Sequence, residues 1–180
     1  MSYTPLPRAF ADGAADEVAR ALLGQLLVRV QRGRVRAGRI VEVEAYLGPH
    51  DLASHSSKGR TPRTSVMFGP EGHAYVFLVY GMHHCVNVVT GHGAAVLLRA
   101  LEPVEGLDGR RTDGPGRLTK ALSITLAHDA HPLDAPPLYL AEGHKVTRVA
   151  TGPRIGVDYA GAWAKRRLRF WERGNPYVSR

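Results

Sequence analysis

Apolar and polar positions alternate along several short stretches of the chain with the period of two that marks a strand. LLVRVQ (26–31) and VRAGRIVEVEAYL (35–47) are two such stretches joined by a tight Arg-Gly-Arg turn, and the spacing predicts a β-hairpin. In its second strand Val41, Val43, Ala45 and Leu47 fall on one face, the expected core face, and Ile40, Glu42, Glu44 and Tyr46 on the other. HAYVFLVYG (73–81), HHCVNVVTG (83–91) and AAVLLRALEP (94–103) predict three more strands, the last two separated by Gly91–Gly93. On the first of these Tyr75 and Phe77 share one face, and Val76, Leu78 and Tyr80 the other. The period turns helical in DGAADEVARALLGQLL (12–27), with a cap at Asp12 or Gly13, apolar positions at Val18, Leu22 and Leu23, and a stop at Gly24. GRLTKALSITL (116–126) predicts a second helix just after a Gly-Pro-Gly turn, and several short strands close the chain, ending in KRRLRFWERG.

Between these elements residues 48–72 form a long Gly-, Pro-, Ser- and Thr-rich loop carrying Lys58, Arg60 and Arg63. A loop of that length inside a domain is usually functional or disordered. EGLDGRRTDGPG (105–116) reads as a flexible basic connection. With no internal repeat, heptad or linker, the pattern predicts a single compact domain over residues 1–180, of mixed α/β (α+β) class: a curved, mainly antiparallel β-sheet flanked by helices.

Composition changes this picture little. The 180 residues are 44% hydrophobic, enough for a sizeable core. No apolar run reaches the roughly 18 residues that would predict a membrane span, and MSYTPLPRAFADG lacks the charged start and apolar centre of a secretion signal. The single cysteine, Cys85, has no partner for an internal disulfide, so a cytoplasmic protein is expected. Charge says more: 24 Lys and Arg against 16 Asp and Glu give +8 and a pI near 10.1, which points to a polyanionic partner, most often nucleic acid.

The chemical candidates each have a plainer alternative. Glu44, near a strand end and just before the long loop, is either a solvated carboxylate or a general base aimed into a site. Arg99 is a strand charge that pairs with Glu102 or another carboxylate, or else orients Glu44 or a water. Glu42 with Glu44 could instead hold a divalent metal, but His83, His84 and Cys85 are adjacent and alternate faces, and no zinc-type spacing occurs. Tyr80, beside Gly81 where strand meets turn, is either sheet core or an aromatic wedge for bases. DGPGRLTKAL places Arg117 and Lys120 at a helix start suited to phosphate, a common pattern of low specificity.

Taken in order, EVEAYLGPHDLASHS (42–56), MFGPEGHAYVFLVYGMHHCVNVVTG (67–91), AAVLLRALEP (94–103), GPGRLTKAL (114–122) and PRIGVDYAGAWAKRRLRFWERGNPYVS (153–179) resemble the blocks of alkyladenine (3-methyladenine) DNA glycosylases of the mammalian methylpurine type. The likeness runs from about residue 8 onward and suits a compact bacterial member. It implies a monofunctional glycosylase that flips a damaged purine from duplex DNA and hydrolyses its N-glycosidic bond, with no cofactor or metal, no membrane partner, and a monomer as the acting species. The resemblance makes Glu44 the water-activating base and Arg99 the residue that holds it. Tyr46 and His55 become pocket residues, Asn87 the side chain that crowds the 2-amino group of guanine, and Tyr80 the wedge. Arg60, Arg63, Arg117 and Lys120 are the expected backbone contacts. Phe77 departs from the family's second pocket tyrosine, so stacking is kept and a phenol hydrogen bond lost, and the connection after LEPVEG is short. A base that is already cationic leaves without protonation, so one carboxylate is enough where O-glycosidases use two. Glu42 has no role in this reading and is expected to tolerate an amide. A non-catalytic DNA-binding module and a metal-dependent nuclease built on Glu42 and Glu44 are the alternatives.

Overall fold

A computed structural model describes residues 2–180. Its organising element is a long strand, β2 (Arg34–Tyr46), antiparallel to β5 (Ala94–Glu105) along nearly its whole length. The other edge of β2 is shared: its first half pairs with β1 (Leu26–Gln31), and Glu42, Val43 and Glu44 pair with β9 (Arg169–Glu172). The sheet then runs outward through β4 (His83–Gly91) to β3 (Ala74–Val79) on one side. On the other it runs from β1 to β7 (Leu138–Ala141) and β6 (Asp134–Ala135), while β8 (Val149–Gly152) pairs with β9. Every pairing is antiparallel, and the sheet curls into a half-barrel, as the sequence pattern predicts.

The β1–β2 hairpin turns through Arg32 (φ 50°) and Gly33 (φ 71°), the left-handed pair that matches strand twist in a two-residue turn. Both helices, α1 (Ala15–Leu22) and α2 (Pro115–Leu122), lie against one core, where Val18, Leu22, Leu118 and Leu122 meet Ile40, Val43, Leu98 and Phe170. A smaller cluster of Leu26, Val28, Ala37, Tyr139 and Ala141 covers the β1–β7 region. No helix among the described residues is long and apolar enough to cross a membrane.

Several boundaries differ from the sequence expectation. The cap of α1 is Ala14, not Asp12 or Gly13; its side chain bonds nothing, and Asp16 and Glu17 in the first turn complement the helix dipole instead. Helix α2 starts inside the Gly-Pro-Gly turn, with Pro115 at its first position, and ends four residues early. Ser123 there adopts φ 54°, and Ile124 N–H closes back on Thr119 O at 2.8 Å, carrying the Ile124 side chain into the core. The 105–116 connection is tied down by Thr112, whose hydroxyl donates to Leu101 O at 2.6 Å and whose carbonyl accepts from Leu101 N at 3.0 Å. The 48–72 loop contains two 3-10 turns, His55–Lys58 and Ser65–Phe68.

The most consequential difference lies in β2. Strict alternation predicts Ile40 on the face of Glu42 and Glu44. Instead the register steps from Ile40↔Leu101 to Glu42↔Ala100 and then to Val43↔Leu98, so Val41 is an extra residue on β2 and Arg99 an extra residue on β5. Two facing bulges cancel in register but reset the facing of side chains. Ile40 therefore joins Val43 and Ala45 in the core, while Glu42, Glu44 and Arg99 are aimed together at one point.

Candidate active site

A cavity of about 360 Å³ opens where β2, β3, β4 and β5 meet the loops 51–56 and 154–160. Its size falls at the lower end of the range for small-molecule sites. Tyr46, His55, Phe77, Asn87 and Arg99, singled out from sequence, all line it, as do Tyr75, Cys85, Ile155 and Tyr159. Aromatic rings dominate one wall: His55 stands edge-on to Phe77 with centroids 4.5 Å apart, and Tyr75 lies 5.3 Å from Phe77. The Tyr75 hydroxyl and His55 Nδ1 are 2.8 Å apart. Burial, with Arg63 nearby, lowers the His55 pKa to about 4, so its ring is neutral at physiological pH. The Asn87 amide donates to Tyr75 O at 3.0 Å, which fixes its orientation.

Glu44 has no exposed surface and lies just beneath the cavity lining. Its oxygens are met by donors on three segments: Tyr46 Oη at 2.8 Å, the Ile155 backbone N–H at 2.7 Å and Arg99 Nη1 at 3.3 Å. All three donor residues line the cavity. Burial pushes the Glu44 pKa up, and Arg99, the Ile155 N–H and the Tyr46 hydroxyl pull it back only in part, with Glu42 adding to the rise. The Tyr46 phenol is held well above its usual range by burial and by Glu44, so it stays a donor.

Glu42 is equally buried and carries a different set of partners. Arg99 Nε and Arg169 Nη1 each donate to Oε1 at 3.1 Å, Ser179 Oγ donates to Oε1 at 2.9 Å, and Ser179 N–H donates to Oε2 at 2.7 Å. Arg99 thus bridges the two carboxylates. Glu102 pairs with Arg39, not with Arg99.

Residues 9–176 match the model of the methylpurine-DNA glycosylase (MPG) family. Similar proteins carrying the name "Putative 3-methyladenine DNA glycosylase" occur in Myxococcus xanthus (60% identical, 97% of this chain and 93% of that protein) and in Legionella pneumophila strain Corby (51%, 97% and 98%). Another, of the same name, is in Methanocella arvoryzae (49%, 97% and 96%). The chain belongs to the methylpurine-DNA glycosylase family.

The surface around the cavity carries further residues singled out from sequence. Tyr80 stands at its rim on the β3–β4 turn, 89% exposed with φ 53°, so the core alternative for this residue is excluded. Met82 beside it is 69% exposed. Across the mouth Tyr159 is also exposed, and its hydroxyl donates to Ala53 O at 3.0 Å, tying the 154–160 segment to the loop that carries His55. Arg60 and Arg63 are both exposed on the long loop, and the Arg63 guanidinium lies 5.2 Å over the Phe77 ring. Arg117 and Lys120 are not brought to the cavity: they flank a separate shallow depression with Arg110 and Arg111, and Arg117 is paired with Asp113 at 3.0 Å.

Sequence reasoning missed the support of this candidate site. Asp51 and Arg154 form a fully buried pair, with contacts of 2.5 and 2.9 Å, although they are 103 residues apart. Arg154 also donates to Ala45 O and stacks 4.7 Å over the Tyr46 ring. Burial alone would raise the Asp51 pKa, but Arg154 and the Leu47 and Ala53 N–H groups bring it below its usual value. This pair holds the 154–157 segment where Ile155 N–H reaches Glu44. The available signal was Asp51 itself, an acid among the apolar positions of GPHDLASH, with Arg154 placed likewise in PRIGV.

Proposed function

We propose that the chain is a monofunctional DNA glycosylase that extrudes N-alkylated purines, 3-methyladenine and 7-methylguanine above all and hypoxanthine among further substrates, and hydrolyses the N-glycosidic bond with a water activated by Glu44. The observation that carries the reading is the Glu44 carboxylate fixed by Tyr46, Ile155 N–H and Arg99 under an aromatic cavity of base size. A carboxylate offers about four lone-pair directions. Tyr46 and the Ile155 N–H take two by hydrogen bonds and Arg99 sits 3.3 Å away as an ion pair, which leaves the carboxylate capacity for a water as a further donor.

In the reaction the water oxygen bonds to C1′ as the C1′–N bond breaks, the bonding pair leaves with the base, and Glu44 takes the water proton. 3-Methyladenine and 7-methylguanine are cationic in DNA, so they depart neutral and need no acid, whereas hypoxanthine is neutral and has to take up a proton as it leaves. The Phe77 and Tyr46 rings and a neutral His55 favour a cationic base by stacking and cation–π attraction without opposing charge. The ionised Glu44 also offsets charge on the oxocarbenium-like sugar. Extrusion of the base costs a few kcal/mol, part of which Tyr80 offsets by filling the gap in the stack. Asn87, pinned by Tyr75, crowds a guanine 2-amino group. The protein acts as a monomer on double-stranded DNA in the cytoplasm.

The nuclease alternative loses its metal ligand. Two guanidinium groups and Ser179 already saturate Glu42, and this cationic surrounding repels a divalent ion. Incubation with methylated duplex DNA in EDTA tests the proposal. Free methylpurine and abasic sites are expected. Strand scission lost in EDTA would favour the nuclease, and tight binding without base release would favour a non-catalytic module.

A further inference from the structure

Two of the four hydrogen bonds to Glu42 come from one residue far away in sequence, Ser179, and this residue does not touch the cavity. Its backbone N–H meets Oε2 at 2.7 Å and its hydroxyl meets Oε1 at 2.9 Å, while Arg99 Nη2 reaches the same hydroxyl at 3.4 Å. The 175–179 segment is itself anchored: the Asn175 amide donates to Glu172 on β9 at 2.8 Å, and Asn175 Oδ1 accepts from Tyr177 N at 2.9 Å. We infer that Ser179 is a positioning residue for the reaction, which through Glu42 sets how Arg99 divides its guanidinium between the two buried carboxylates. The inference rests on the assignment of Glu44 as the base.

The argument is one of competition for a shared cation. Arg99 gives Nε to Glu42 at 3.1 Å and Nη1 to Glu44 at 3.3 Å, and neither carboxylate has solvent to replace a lost donor. When Ser179 supplies two donors, Glu42 is satisfied by Ser179, Arg169 and one edge of Arg99, and the other edge of Arg99 stays on Glu44. Without those donors Glu42 is under-bonded in a dry site and draws the whole guanidinium toward itself. Glu44 then loses its only cationic partner among its hydrogen-bonding contacts and holds a proton to higher pH. The other groups facing Glu44 are Tyr46 on its own strand, Cys85 on β4, Arg169 opposite it on β9, and Arg154 and Tyr159 on the 154–160 segment, and of these Arg169 also bonds Glu42.

The test combines Ser179→Ala, which removes the hydroxyl, Ser179→Pro, which also removes the N–H, and Ser179→Thr, which keeps both donors. Single-turnover release of 7-methylguanine from methylated duplex is measured across pH, with DNA affinity and melting temperature in parallel. For Ser179→Ala the acid limb is expected to move to higher pH, with the rate below that limb lower by about tenfold for each unit of displacement. Ser179→Pro should move it further, and Ser179→Thr should restore it, with DNA affinity within about twofold throughout. The Glu44 carboxyl, followed by 13C NMR in the free proteins, should titrate at higher pH in Ser179→Ala than in wild type. An unmoved Glu44 titration overturns the inference whatever the melting temperature does, and Ser179→Ala with Ser179→Thr decides the matter if the proline variant fails to fold. Absence of base release from wild type would overturn the proposed function alone, since the NMR titration does not depend on turnover.

Discussion

Replacing Glu42 by glutamine is a demanding check on the site, because the glycosylase reading of the sequence gives this residue no role and the structure gives it four hydrogen bonds from three residues. The change is nearly isosteric, so no cavity opens. It removes the negative charge that faces Arg99 and Arg169, both near or inside the fold boundary, and turns one acceptor oxygen into an NH2 group that confronts either the Ser179 N–H or the two guanidinium groups. Removing one partner of a buried ion pair costs about 3–5 kcal/mol, because the remaining charge is left uncompensated. For a chain of this size about 2–4 °C of melting temperature corresponds to each kcal/mol, which gives a fall of roughly 6–20 °C. Differential scanning calorimetry at pH 7 reads this directly. Excision should change less than stability, since with the competing charge gone Glu44 is the one carboxylate left to hold Arg99. A melting temperature within about 2 °C of wild type, with excision unchanged, would show that Glu42 is not the counter-charge the geometry describes, and would restore the sequence expectation that an amide is tolerated.

Glu44→Gln should keep lesion binding and lose excision by about two orders of magnitude or more, since an amide cannot take the water proton; rates like wild type in single-turnover assays would remove Glu44 from the role. Because burial raises the Glu44 pKa, wild-type kcat/KM should fall with acidification along a limb centred above the ordinary glutamate value of about 4.3, the base being lost as pH drops through its raised value; a limb at or below 4.3 would contradict this. Tyr80→Ser should leave stability within about 0.5 kcal/mol, because the ring is almost wholly exposed, and weaken flipping by roughly 1–3 kcal/mol in reporter-base fluorescence, less on mismatched DNA; a large melting-temperature loss with intact flipping would sink the wedge assignment. Affinity for undamaged duplex should fall steeply with salt, and Arg60→Glu should flatten the log–log slope by about one phosphate contact; an unchanged slope would take Arg60 out of the DNA interface.

The elements of this fold are legible because each carries its own period. The β1–β2 hairpin, the three aromatic and β-branched strands and both helices could be placed from spacing alone, to within a few residues. The pocket lining was legible only through resemblance: nothing in the period of AYVFLV distinguishes Phe77, which faces a cavity, from Val76, which faces the core. The facing bulges at Val41 and Arg99 left no local mark, since neither is a glycine and each bulge exists only because the other strand bulges opposite it. Glu42 with Ser179, 137 residues apart, and Asp51 with Arg154 are long-range pairs formed when the chain closes, and a single sequence holds no trace of which acid meets which base.

Those long-range partners explain how two carboxylates two residues apart on one strand take different roles. An even division of cations would leave Glu42 and Glu44 equivalent, and neither would be poised as a base. The structure divides them unevenly. Glu42 receives Arg169 and both Ser179 donors as well as Arg99, three of these bonds on Oε1 and one on Oε2, and so is a structural anion. Glu44 receives only the longer contact of the shared arginine, with a phenol and one backbone N–H. Its burial raises its proton affinity, and those three donors hold back part of that rise. A carboxylate held this way is a stronger base than a solvated one and remains in place without substrate. The bulge at Arg99 makes the unevenness possible: it lets one guanidinium reach both acids at different distances, which a regular strand pairing would not allow.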